Sequence, residues 1–137
     1  MDASIESTVR ALMNIESLYK EILDKYPNIS SKANDELEKT WPGTDEEFYI
    51  YTWFEALARV LNNEMQKEIP PSNHESLLKL IASSFLAGDE NLKKTIDVAF
   101  TENLYWQVYP EKAAPYWEVM PEVLKKLYVD FHHKNPL

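Results

Sequence analysis

The apolar residues of this chain recur every three or four positions, which is the spacing of one face of an α-helix. In the first segment that face is formed by Ile5, Val9, Leu12, Leu18 and Ile22. Pro27 ends the pattern, because proline cannot donate the backbone hydrogen bond that a helix interior requires. A shorter second helix is predicted over residues 28–40, where Ala33 and Leu37 form a narrow apolar face.

The third predicted helix follows a break at Trp41-Pro42-Gly43 and has the clearest start signal in the chain. Thr44 and Glu47 have the spacing of a capping box, in which each side chain bonds a free backbone N–H at the helix start. Its apolar positions are Ile50, Tyr51, Trp53, Phe54, Leu57, Ala58, Val60, Leu61 and Met65. Its polar strip is Glu55, Arg59, Asn62 and Gln66. So wide an apolar surface predicts a central helix, with Glu55 and Arg59 spaced as an i,i+4 ion pair.

Two more helices are predicted on either side of Gly88. The first follows Pro70 and Pro71, opens with a second capping box at Ser72 and Glu75, and ends at Gly88 as its C-terminal cap. Asp89 is a residue type that caps helix N-termini and starts the next helix. The apolar face of that helix is Leu92, Ile96, Ala99, Phe100 and Leu104.

The C-terminal segment contains Pro110, Pro115 and Pro121, and the stretch before Pro121 is predicted to be a connection. A final helix is predicted with Pro121 as its first residue, a position that tolerates the missing N–H. Its apolar residues are Val123, Leu124, Leu127, Tyr128 and Phe131. Alternating strand patterns and Asn-Gly or Asp-Gly turns are absent from the sequence. The chain is therefore predicted to be one all-α domain, residues 1–137, formed by a bundle of five to six helices.

Composition narrows the function classes. The 137 residues include 14 Lys and Arg against 23 Asp and Glu, and this formal charge of −9 opposes binding to nucleic acid or to anionic lipid. Most of the excess acid lies in residues 1–68, although a net charge of this size also serves solubility alone. There is no cysteine, and the sequence shows neither a secretory signal nor a membrane-length apolar run. A cytoplasmic protein is expected.

No motif in the sequence indicates catalysis. Phosphate loops, dinucleotide fingerprints and metal-ligand pairs are absent, and His74, His132 and His133 lack the i,i+4 spacing of a helical zinc site. Glu75 is better explained as part of the capping box than as a proton-transfer partner of His74. The helix carboxylates Glu46, Glu47, Glu55, Glu64 and Glu68 are more typical of a solvated face than of a hydrolase or cation site. We predict no enzyme activity, no metal and no cofactor.

The aromatic residues suggest binding. Trp53 is predicted to be in the core, whereas other aromatics lie at predicted helix ends or in the Pro-rich connection, namely Trp41, Trp106, Tyr109, Tyr116 and Trp117. Rigid aromatics at such places anchor protein partners, but for any single residue the favoured interpretation is packing of the connection onto the helices. Binding and packing therefore both stay open for these positions.

Residues 88–131 resemble a family of small helical bacterial proteins of unassigned function. The resemblance rests on Gly88-Asp89 before a helix, on Phe100-Thr101-Glu102-Asn103-Leu104 at its end, and on Pro121, Leu124, Tyr128 and Phe131. Such proteins are similar to the immunity partners of polymorphic or contact-dependent growth-inhibition toxins, which bind a cognate toxin and block it. The resemblance implies no catalytic residue.

The resemblance implies an immunity protein that occludes the active site of a toxin domain, for which a basic nuclease is one suitable class. An acidic inhibitor complements a basic surface electrostatically. The predicted partner-binding residues are Asp35, Glu36, Glu38, Trp41, Asp45, Glu46 and Glu47. The alternatives are a regulatory or adaptor module with an endogenous partner and, less favoured, a metal-dependent hydrolase.

Overall fold

The computed structural model describes residues 13–40 and 48–137, and these residues fold as a single all-α domain. The α-helices are α1 (Ile15–Lys25), α2 (Pro27–Thr40), α3 (Tyr49–Gln66), α4 (Glu75–Ala87), α5 (Glu90–Lys94), α6 (Pro110–Val119) and α7 (Glu122–His132). Within the described ranges there is no strand, only an isolated bridge between Met13 and Gly88. The all-α prediction is confirmed, with slightly more helices than expected. The predicted capping box at Thr44 and Glu47 and the helix positions before Met13 lie outside the described residues.

Helix α3 is the centre of the fold, as its wide apolar surface predicted. Its inward side chains, including Trp53, Phe54 and Leu57, are fully buried. Edge-to-face ring contacts connect Trp53 to Phe54 and Phe54 to Phe100. α3 therefore joins the N-terminal helices to the segment after Gly88, and its polar residues face neighbours on both sides.

Helices α1 and α2 are fixed to each other and to α3 by polar contacts as well as by packing. Asn14 caps α1 through its side-chain oxygen, which accepts from the Ser17 N–H at 2.8 Å. The Ser30 hydroxyl donates to the Ile22 carbonyl of α1 at 3.2 Å, and Trp53 Nε1 donates to Asn34 Oδ1 at 2.8 Å. α2 thus forms a full helix, although its sequence signal was weak, because Ala33 and its apolar neighbours are covered by α3.

The connection at Gly88 and Asp89 forms as predicted. Gly88 caps α4, and an added Cβ would lie 2.8 Å from the Ser84 carbonyl oxygen, so a lack of space requires glycine there. Asp89 caps α5 by accepting from the Leu92 N–H at 2.9 Å. The expected long helix continues beyond α5 as a π-helical segment, Thr95–Phe100, and a 3-10 turn, Thr101–Asn103.

Three local predictions were wrong. The capping box at Ser72 and Glu75 does not form, because Ser72 lies in a 3-10 turn and α4 begins after His74 without a side-chain cap. Pro121 precedes the first residue of α7. The predicted connection contains α6, which has Pro115 in its interior and packs on the core through the buried Ala113 and Tyr116. The Tyr116 hydroxyl also donates a hydrogen bond to the Ile69 carbonyl oxygen at 2.7 Å.

No helix among the described residues is long and apolar enough to cross a membrane.

Candidate functional site

The predicted partner-binding residues that the structure describes lie on α2. Asp35 and Glu38 are exposed, and Glu36 is partly buried. Arg59 Nε lies 3.2 Å from Glu36 Oε1, and Arg59 Nη2 donates to Thr40 Oγ1 at 3.0 Å. Arg59 therefore pairs across helices, which corrects the predicted pair with Glu55. Trp41, Asp45, Glu46 and Glu47 lie outside the described residues.

The described part of α2 does not form a purely acidic face. A depression of about 210 Å³ between α2 and α3 is lined by both Asp35 and Glu36 and also by Lys32, Lys39 and Lys67. Opposite charges so close together screen each other, so this face has little net field toward a basic partner. The acidity that the composition predicted for the first half of the chain is locally neutralised here.

The 104–109 loop, which joins the 3-10 turn to α6, has a strained backbone. Tyr105 and Gln107 have φ values of 65° and 57°, in the left-handed region that side chains with a Cβ rarely adopt. Such a conformation costs about 1–3 kcal/mol and persists only where surrounding contacts hold it. Strain of this kind is concentrated at binding and catalytic sites.

Two amide side chains of α3 hold the loop. Asn62 is buried; its Nδ2 donates to the Asn103 carbonyl at 2.9 Å and its Oδ1 accepts from the Tyr105 N–H at 2.7 Å. One turn further along α3, Gln66 Oε1 accepts from the Tyr109 N–H at 3.2 Å. Because both ends of the loop are bonded to one rigid helix, the loop has a fixed conformation.

The loop presents aromatic side chains on both of its sides. Tyr105 points inward, where its ring contacts Trp117 and Tyr128 edge to face, and its buried hydroxyl has no hydrogen-bond partner among the described residues. Burial raises the pKa of this hydroxyl. Trp106 and Tyr109 point outward and are 66% and 61% exposed. Packing therefore explains Trp117 and the buried Tyr116, but not Trp106 or Tyr109.

Carboxylates lie beside the start of the loop. Burial raises the pKa of Glu102, and the nearby charge of Asp97 raises it further. The pKa of Asp97 is raised by burial and by Asp130, although Asp130 also pairs with Lys126 at 2.7 Å. Asp97 on the π-helical segment, Glu102 on the 3-10 turn and Asp130 on α7 lie on elements that pack together, and these three carboxylates are called the acidic patch. His132 is half-buried here and stacks on Tyr128.

A second polar cluster lies on the other side of α3. Glu64 is 5% exposed, and its Oε1 lies 3.1 Å from His74 Nε2 and 3.3 Å from Lys32 Nζ. Burial lowers the pKa of His74, while the hydrogen bond and charge of Glu64 partly oppose that shift. His74 thus pairs with Glu64 rather than with Glu75, which instead contacts Lys79. Among the described residues, no three His, Asp or Glu side chains converge as a metal site.

The chain belongs to the family described as Domain of unknown function (DUF7674), which matches residues 19–134. No curated protein and no solved structure matches the chain significantly.

Sequence reasoning missed both clusters because their members are far apart in the chain. A signal was nevertheless present: Asn62, Glu64 and Gln66 lie close together in the last turns of a helix whose wide apolar surface predicts a central position. Polar side chains on a central helix must find buried partners, since an unpaired buried polar group is costly. The pattern indicates that partners exist, but it does not indicate which residues they are.

Proposed function

We propose that this protein binds another protein through the 104–109 loop, and that its partner is a basic toxin domain which it neutralises. The observation that carries the proposal is the exposure of Trp106 and Tyr109 on a strained loop that Asn62 and Gln66 hold rigidly. Tryptophan and tyrosine dominate binding hot spots, and a preformed loop loses little conformational entropy on binding. Nothing in this arrangement requires catalysis.

The chemistry of the partner follows from charge. The chain has a formal charge of −9, and the carboxylate of Glu102 lies four positions before Trp106 in the sequence, within the acidic patch. An acidic rim around aromatic anchors favours a basic surface and accelerates its association. The resemblance of residues 88–131 to immunity partners supports a toxin as that basic protein, and this segment includes the loop.

The seven residues predicted from sequence remain part of the proposal, the six acidic ones as its electrostatic part and Trp41 as an anchor between them. Their described members, Asp35, Glu36 and Glu38, lie beside lysines, so we assign them a smaller contribution than the loop. An adaptor with an endogenous basic partner would use the same loop. The identity of the bound protein distinguishes the adaptor role from the immunity role.

The test is affinity capture of partners from the native host, followed by titration of the purified chain with any basic toxin domain that is captured. We expect one-to-one binding that weakens as salt rises, with stoichiometric inhibition of the toxin. Trp106→Ala should weaken binding by about 2 kcal/mol, roughly thirtyfold, as expected for a hot-spot aromatic. Leu86→Ala is the matched control, since Leu86 is equally exposed on α4 and lies outside the loop.

Two results would contradict the proposal. Unchanged affinity in both Trp106→Ala and Tyr109→Ala would exclude the loop as the interface. Binding without inhibition of the toxin would exclude the immunity role and favour the adaptor.

A further inference from the structure

A pocket of about 460 Å³ opens beside the buried Glu64 and His74, between the junction of α1 with α2 and the segment that precedes α4. Its polar lining is Lys25, Asn28, Lys32, Glu64, Asn73 and His74. The volume lies in the range of small-molecule sites. The pocket thus places two lysines and a histidine beside one buried carboxylate, Glu64.

The hydrogen bond to Glu64 determines which nitrogen of His74 is protonated. Burial lowers the pKa of His74, so the ring is neutral at neutral pH. A carboxylate only accepts hydrogen bonds, so Nε2, which lies 3.1 Å from Glu64 Oε1, carries the proton. Nδ1 is then an acceptor, and no described residue donates to it. The His74 ring is fixed in this tautomer by Glu64 in the way that buried carboxylates orient histidines elsewhere.

Glu64 and Lys32 also retain unused hydrogen-bonding capacity. Both Lys32 and His74 contact Oε1 of Glu64, while Oε2 has no hydrogen-bond donor among the described residues. Lys32 Nζ uses one of its three donors on Glu64, and its side chain is 55% exposed. Lys25 is bonded to Glu21 at 2.6 Å at the rim, so Lys32 is the main cationic group of the pocket.

We propose that this pocket binds a small molecule that carries an anionic group together with an amino or hydroxyl donor, the class of α-amino and α-hydroxy acids. The anionic group pairs with Lys32, and the donor bonds Glu64 Oε2 or His74 Nδ1. A carboxylate alone would leave both acceptors unpaired, and a cation alone would be repelled by Lys32.

This site is separate from the 104–109 loop. On α3, Glu64 is two positions from both Asn62 and Gln66, a spacing that places it on the opposite side of the helix from the two amides. Ligand binding in the pocket is therefore expected whether or not the loop binds a toxin.

The experiment is NMR titration of the full chain with three probes: alanine, lactate and acetate. We expect alanine or lactate, at millimolar concentration, to shift the His74 ring and Lys32 Nζ resonances in a saturable way, with acetate much weaker. If only alanine saturates the site, the ligand's donor is an amine. If lactate saturates it equally, the site accepts either an amine or a hydroxyl donor. Lys32→Met should weaken that binding by about tenfold or more, the effect of losing a hydrogen bond to a charged group.

The control variant is Lys79→Met, which removes an exposed lysine that pairs with Glu75 outside the pocket and should change affinity by less than about twofold. Acetate binding as strong as that of alanine and lactate would overturn the two-point site. Absence of any shift at His74 with all three probes would overturn the pocket as a site for this class, and so would equal effects of Lys32→Met and Lys79→Met.

Discussion

The two sides of the last turns of α3 carry polar groups of different kinds. On one side, Asn62 and Gln66 hold the backbone of the 104–109 loop through neutral amide hydrogen bonds. On the other side, Glu64 holds His74 and Lys32 through ionisable groups. Neutral bonds do not change with pH and are little affected by salt, whereas ion pairs respond to both. One helix thus supports a permanent structure on one face and a chemically responsive cluster on the other.

The largest effect is expected from Asn62→Ala. This change leaves the Tyr105 N–H and the Asn103 carbonyl without their buried partner, and it releases a strained loop. We expect the free energy of unfolding to fall by about 2–4 kcal/mol, measured by urea denaturation.

The control for Asn62→Ala is Asn63→Ala, because Asn63 is the same residue type one position away and is exposed. Its unfolding free energy should change by less than about 0.5 kcal/mol. Equal effects of the two changes would mean that the amide of Asn62 does not hold the loop.

Glu64→Gln tests the opposite face and should cost less. The amide retains an acceptor for His74 Nε2 but loses the charge that attracts Lys32, which is half-exposed. We expect a loss of roughly 1 kcal/mol in unfolding free energy. The pKa of His74, followed by NMR, should fall further, because Glu64 raises it in the wild-type protein.

Glu75→Gln is the matched change at a carboxylate on α4 whose side chain is 40% exposed. It should alter neither the unfolding free energy nor the pKa of His74. A rise in the pKa of His74 in Glu64→Gln would contradict the assignment of Glu64 as its stabilising partner.

A smaller effect is expected from pH. The pKa of His74 in the folded state lies below its ordinary value of 6.5, so between these two values the unfolded chain binds more protons. The stability that neutral His74 contributes is therefore fully present above about pH 6.5 and is lost as pH falls through the folded-state pKa. The measurement is the unfolding free energy of the wild type and of His74→Gln from pH 5 to 8, the range in which histidine titrates. The difference between the two proteins should become smaller toward pH 5. A difference that grew there would contradict the sign of the shift.

The smallest effect on stability is expected from Trp106→Ala. The side chain is 66% exposed, so its removal should change the unfolding free energy by less than about 0.5 kcal/mol. Thermal unfolding of Trp106→Ala should therefore show near-native stability, while titration with the partner should show weakened binding. A stability loss comparable to that of Asn62→Ala would mean that Trp106 packs in the fold and is not available to a partner.

Much of the fold could be predicted from the sequence. The 3.6-residue spacing predicted the all-α class and the central position of α3, since those features depend on which positions are apolar. Gly88 and Asp89 were identified as the C-terminal cap of one helix and the N-terminal cap of the next, because capping also depends on residue type and local spacing. The prediction failed at Ser72 with Glu75 and at α6, where a local pattern was outweighed by tertiary contacts such as the hydrogen bond from the Tyr116 hydroxyl to the Ile69 carbonyl.

The candidate sites could be predicted only in part. Trp106 and Tyr109 were identified as possible anchors, but sequence could not separate them from Tyr116 and Trp117, which pack inward. Exposure depends on how the whole chain folds around a residue. The acidic residues of α2 were chosen by charge alone, and the neighbouring lysines became visible only in three dimensions.

The sequence by itself determined the helical class, the core face of each strongly amphipathic helix and the acidic charge, because these follow from residue type and spacing along one dimension. Only the tertiary structure decided that Arg59 pairs with Glu36, that Asn62 holds Tyr105 and that Glu64 meets His74. These partners lie 23, 43 and 10 positions apart. A hydrogen bond acts over about 3 Å, so its partners are determined by packing and not by local spacing.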